Sequence, residues 1–249
     1  MSECKLMAHI VCGYPDMEES ERAARGLIAG GADYLEVQFP FSDPSADGPV
    51  IEKACQKALD GGFTVSDGFA LMRRLAGDVS IPLFIMTYGS LVFARGVDEF
   101  ARESAESGVS GLIVPDLPPD YDEHLFEAGK RRGVAVVPVI APEISEERLR
   151  LIGSLAPEYI YTALRLGITG SRTALDEKTI RYLERVGELG AKVIAGFGVR
   201  SREQMRALSG HAHAAAVGSY FLEQINAKGP DEDAGPILKK AAHGLKNDL

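Results

Sequence analysis

Eight short runs of β-prone, apolar residues recur along the 249-residue chain, at 6–11, 34–38, 82–86, 111–114, 135–140, 159–162, 192–195 and 214–217. Each is followed by a segment with helix punctuation, and this alternation restricts the fold more than any other feature. Asp16 with Glu19 three residues on has the capping-box spacing, Ser66 and Ser145 are candidate N-caps, and Gly30, Gly31, Gly108, Gly133 and Gly190 stand where helices should stop. Eight strands alternating with helices predict a (β/α)8 TIM barrel, and with no low-complexity linker to divide it, a single α/β domain over residues 1–249. The longest gap, between the second and third strands, holds a proline-rich loop and two helical segments at 51–58 and 67–76. A polar break at 229–236 precedes a last amphipathic segment, 237–245, expected to pack across the barrel or fray.

Charge narrows the partners. A formal charge of −9 and a pI near 5.1 argue against nucleic acid or an anionic membrane surface, both of which need a basic face. Cys4, Cys12 and Cys55 have neither disulfide-framework nor zinc spacing, and the histidines lack ligand spacing, so no metal site is expected. The first residues do not read as a secretory signal, and no 18-residue apolar segment occurs, which predicts a soluble, cytoplasmic protein.

In a parallel barrel the chemistry lies at the C-terminal ends of the strands. The second strand and its loop, LEVQFPFSDPSADGP, carry three acids, Glu36, Asp43 and Asp47, in a stretch that Pro40, Pro44 and Pro49 keep out of helix or ladder. An ionised, unpaired carboxylate in an apolar strand costs several kcal/mol, roughly, so Glu36 is expected to sit ready as a proton donor or acceptor near neutral pH. Asp47 can reach over the barrel mouth or cap the following helix, and Asp43 reads as scaffolding that binds loop amides. Asp116, between prolines, is placed to support the neighbouring active-site loop, and Tyr88 follows the third strand; Tyr161 faces the pocket or the core; Thr169 can anchor Asp47 across the mouth. Phe39, Ile51 and Ile85 are candidate walls or equally core, and His9 reads as a satisfied core histidine. Glycines recur at the last three strand ends, at Gly167 and Gly170, Gly196 and Gly198, and Gly218 beside Ser219. Together with the N-terminus of the next helix they suggest a phosphate cradle built from backbone N–H groups.

The decapeptide PFSDPSADGP resembles the signature of the tryptophan synthase alpha subunit. The similarity extends over almost the whole chain through LEVQF, Tyr88, PDLP around Asp116, Tyr161 with GITG, GFGV and VGS. The resemblance implies a lyase that cleaves indole-3-glycerol phosphate by a retro-aldol reaction to indole and glyceraldehyde 3-phosphate. It also implies a beta-subunit partner in an α2β2 assembly, with pyridoxal phosphate in that partner and no cofactor in this chain. Glu36 then matches the general acid/base, Asp47 the second catalytic carboxylate, and Gly170, Gly198, Gly218 and Ser219 the phosphate contacts. Three residues depart from the pattern: Gln38 replaces a glycine, Ser90 stands where asparagine is frequent, and His9 takes a position usually apolar or aromatic. The chain starts almost at the first strand, so the usual N-terminal extra helix under the barrel is expected to be lacking. Two alternatives remain open at this point: a catalytically weak alpha-like partner that mainly activates a beta subunit, or another phosphate-binding TIM-barrel enzyme.

Overall fold

The computed structural model describes residues 3–163, 175–196, 198–229 and 232–246. The strands are β1 (Lys5–Val11), β2 (Tyr34–Gln38), β3 (Leu83–Met86), β4 (Gly111–Ile113), β5 (Ala135–Val137), β6 (Val139–Ile140), β7 (Tyr159–Ala163), β8 (Lys192–Gly196) and β9 (Ala214–Val217). All pair in parallel, in the order β5-β4-β3-β2-β1-β9-β8-β7-β6. Only Pro138 separates β5 from β6. It has no N–H to give the ladder, but its carbonyl accepts the Tyr161 amide at 2.9 Å. The two pieces therefore act as one kinked strand, the first half laddered to β4 and the second to β7. The predicted (β/α)8 barrel is borne out, with a break in its fifth strand.

The helices are α1 (Met17–Ala29), α2 (Pro49–Asp60), α3 (Val65–Asp78), α4 (Gly89–Arg95), α5 (Val97–Glu106), α6 (Leu125–Arg132), α7 (Glu146–Ser154), α8 (Glu177–Gly187), α9 (Arg202–Leu208), α10 (Ser219–Ala227) and α11 (Ala234–Lys246). Asp16 caps α1 by accepting the Glu19 amide at 2.8 Å, and Ser145 caps α7 through the Arg148 amide. Ser66 is not a cap. Helix α3 starts earlier because Thr64 and Asp67 close a reciprocal capping box, which satisfies two N-terminal donors at once. No helix among the described residues is long and apolar enough to cross a membrane.

Alternation along the strands sorts the side chains. Leu6, Ala8 and Ile10, Leu35 and Val37, and Leu83 and Ile85 point out to the helices, whereas Met7, Tyr34, Phe84, Tyr159 and Ile194 fill the barrel. Phe84 and Tyr159 meet edge to face with centroids 5.2 Å apart, and Tyr34 stands against both. Large inward rings are matched by glycines on the next strand or just beyond it. A Cβ on Gly111 would lie 2.5 Å from the Phe84 ring, one on Gly196 would lie 2.6 Å from the Tyr161 hydroxyl, and one on Gly218 would lie 2.9 Å from His9 Cδ2.

The last segment does not fray. Helix α11 crosses α1 so closely that a Cβ on Gly26 would sit 2.2 Å from the Gly235 carbonyl oxygen, and one on Gly30 would sit 2.5 Å from that of Lys239. Backbone lies on both sides of the contact, so neither helix can yield by a rotamer change. Gly26→Ala is expected to cost about 2–3 kcal/mol in urea unfolding, the upper part of the overpacking range. Gly77→Ala, in α3 with open space at its Cβ, should instead gain up to about 1 kcal/mol through helix propensity. Equal effects at the two positions would show that the crossing is not tight.

Candidate functional site

A cavity of about 520 Å³ opens at the C-terminal ends of the strands, the end at which parallel barrels carry their chemistry. Glu36 lies inside it because β2 alternates: Leu35 and Val37 point outward, so Tyr34, Glu36 and Gln38 point inward. The residue is 2% exposed, yet it is not surrounded only by apolar groups. The β1–β2 register sets His9 beside it, with Nδ1 3.4 Å from Glu36 Oε1. The expectation of a satisfied core histidine at position 9 is therefore corrected: His9 faces a carboxylate, and its Nε2 has no hydrogen-bond partner among the described residues. Burial works against a charged His9 ring, but Glu36, with Asp47 and the Gln38 carboxamide behind it, raises its pKa above the usual 6.5.

Asp47 does not cap α2. Gly48 takes the N-cap position without a side-chain bond, and the Asp47 carboxylate turns to the cavity, where Oδ2 accepts the Gln38 carboxamide N–H at 2.7 Å and the Tyr88 hydroxyl at 2.8 Å. Oδ1 takes no part in this clamp. Burial pushes the Asp47 carboxyl above its ordinary range, against the opposing pull of His9, Gln38 and Tyr88. Tyr88 is itself held from two directions. Its oxygen accepts the Ala46 amide at 3.1 Å, and the amide of the next residue, Gly89, donates to Asp116 Oδ1 at 2.8 Å. Asp116 thus supports the loop as its position between prolines suggests. Gln38, the residue least like the resembled pattern, is fully buried and completes the clamp.

Other expectations are divided. Tyr161 lines the cavity, where burial and the two carboxylates keep its hydroxyl protonated. Ile51 also lines it, but Phe39 and Ile85 do not: they continue the outward phase of β2 and β3, and Phe39 packs on Phe69 with centroids 5.3 Å apart. Met86, Ile113, Val139 and Ala216 stand at the inward positions instead, a placement that the same two-residue period would have revealed. Asp43 is exposed and accepts the Ser42 hydroxyl at 2.8 Å rather than loop amides. On the side formed by β8 and β9, Gly198 (φ +64°), Gly218 and Ser219 line the cavity, and Ser219 begins α10, so a helix N-terminus with its orphan N–H groups faces the open space. Thr169, Gly170 and the rest of the loop 167–174 lie outside the described residues, as does Phe197.

These features define a TIM-barrel site in which two carboxylates of unlike surroundings, one buried and one half-buried, share one cavity with a glycine-lined helix N-terminus. The family model for the tryptophan synthase alpha chain matches residues 1–247. The tryptophan synthase alpha chain of Helicobacter hepaticus is 41% identical over 229 residues, covering 89% of this chain and 86% of the relative. That of Aquifex aeolicus is 37% identical over 247 residues, covering 98% and 94%. A solved tryptophan synthase complex from Pyrococcus furiosus superimposes with a TM-score of 0.86 at 29% identity, covering 98% of both chains. The chain belongs to the tryptophan synthase alpha chain family.

Proposed function

We propose that the chain cleaves indole-3-glycerol phosphate to indole and glyceraldehyde 3-phosphate, a carbon–carbon lyase step of tryptophan biosynthesis, as the alpha subunit of a cytoplasmic tryptophan synthase. One observation carries this reading: Glu36 and Asp47 open on the same cavity as Gly198, Gly218 and Ser219. At about 520 Å³ the cavity falls within the usual size range of small-molecule sites. Breaking the bond requires a proton at indole C3, which makes an indolenine, and then loss of the glyceryl hydroxyl proton as the carbon–carbon bond opens. Glu36, in the cavity wall, serves as acid and then base. The ring nitrogen becomes electron-poor once C3 is protonated, and Asp47, fixed through Oδ2, stabilises it by accepting its N–H. The phosphate is held by Gly198, Gly218, Ser219 and the α10 dipole, with Gly170 as a further contact.

The chain itself calls for no cofactor in this scheme. Its partner is a beta subunit in an α2β2 assembly, and pyridoxal phosphate belongs to that subunit. The reading of a weak partner that mainly activates a beta subunit has less support, because Gln38 completes the hold on Asp47 instead of dismantling it. The purified chain, supplied with indole-3-glycerol phosphate, should release indole alone and do so faster with a purified beta subunit. No indole under either condition would overturn the proposal.

A further inference from the structure

His9 is a buried titratable side chain, 5% exposed, in the wall of the cavity. Its Nδ1 is at ion-pair distance from Glu36 Oε1, while His9 Nε2 and Glu36 Oε2 are both buried without a hydrogen-bond partner among the described residues. From β2 it is faced by Glu36 and by the Gln38 carboxamide, and from the loop before α2 by Asp47. From just past β9, Gly218 meets the ring, and its missing side chain makes room for it. Tyr161, on β7, stays neutral. A carboxylate and an imidazole in contact can pass one proton between them, so the pair is the unit that gives it up.

We propose that His9 and Glu36 hold one proton between them, with His9 as a positioning residue that keeps Glu36 supplied with the proton it delivers to indole C3. This rests on the reading of the cavity as the site of indole-3-glycerol phosphate cleavage. The proton on His9 Nδ1 passes to the Glu36 carboxylate, and the neutral carboxyl gives it to C3. The carboxylate left behind takes the glyceryl hydroxyl proton as the carbon–carbon bond breaks and its electron pair returns to the ring. That proton then returns to His9, so the pair ends as it began. The singly protonated pair is the active form, and it persists until the ring loses its proton, which places the alkaline limit of turnover on His9.

The test is the pH profile of kcat and KM for the wild type, His9→Phe and His9→Gln, with the imidazole of His9 followed by NMR in the wild type and in Glu36→Gln. Both His9 variants should shift the alkaline limb of kcat to lower pH by about one unit or more, with KM changed by less than about threefold. The His9 ring should titrate above 6.5 in the wild type and lower in Glu36→Gln. If His9→Phe does not fold, His9→Gln carries the comparison, since its amide can still meet the carboxylate but cannot hold the proton. An unmoved alkaline limb, or a His9 midpoint indifferent to Glu36→Gln, overturns the proposal while leaving the lyase reading intact. Absence of indole release by the wild type overturns both, and the NMR midpoint still reports whether the pair exists.

Discussion

Glu36→Gln is expected to lower indole release by about 10²–10⁴-fold, the scale of losing a positioned general acid–base group, while binding of a phosphate ligand at the Gly218–Ser219 side is nearly unchanged. The substitution keeps the side chain's length and planarity and removes only its charge and its capacity to exchange a proton. It also takes the anion from beside His9, and this has a sign that can be checked. The His9 pKa is raised in the folded protein, so the stability it contributes is fully present below its unfolded value and is lost as pH rises through the folded one. The wild type should therefore exceed Glu36→Gln in urea-unfolding stability most at mildly acidic pH, and the gap should narrow in alkali. Indole release at the wild-type rate would sink the assignment of Glu36.

Asp47→Asn should cost about 3–4 kcal/mol in the barrier to cleavage, felt in kcat more than in KM. The clamp supplies the reason. Oδ2 faces two donors, the Gln38 amide and the Tyr88 hydroxyl. An asparagine must turn its single oxygen to them, which directs its NH2 group toward the indole nitrogen. A donor then meets a donor where an acceptor is required, so the variant opposes the developing positive charge. Steady-state kinetics decide the point: a loss of under about tenfold would make Asp47 a structural residue.

Much of the architecture is legible in the chain because strand period, helix caps and loop glycines all agree. The break at Pro138 is less so, since a proline inside an apolar run reads equally as a strand end. Ser66 lost to Thr64 because the carboxylate three residues after Thr64 completes the capping box. In the mouth, the two acids that face the cavity and the one that does not are separated by strand phase and loop path: Glu36 shares the inward phase of Tyr34 and Gln38, and Asp43 lies on the exposed bend. What the sequence could not express was the use made of its two odd residues. His9 and Gln38 look like misfits one at a time. They become partners only when neighbouring strands set one against Glu36 and the loop folds back to lay Asp47 on the other.

The fit of His9 against Gly218 has a temporal consequence. Strands β1 and β2 are close in the chain, so during synthesis the imidazole and the carboxylate can pair as soon as both strands have emerged. The surface behind the imidazole is Gly218, just past the strand made last, and forming it requires a long loop to close. A polypeptide halted before Ala214 would hold the acid–imidazole pair open to water, with neither the glycine wall nor the α10 N-terminus in place. The cavity around the pair is thereby completed only when the last strand has docked.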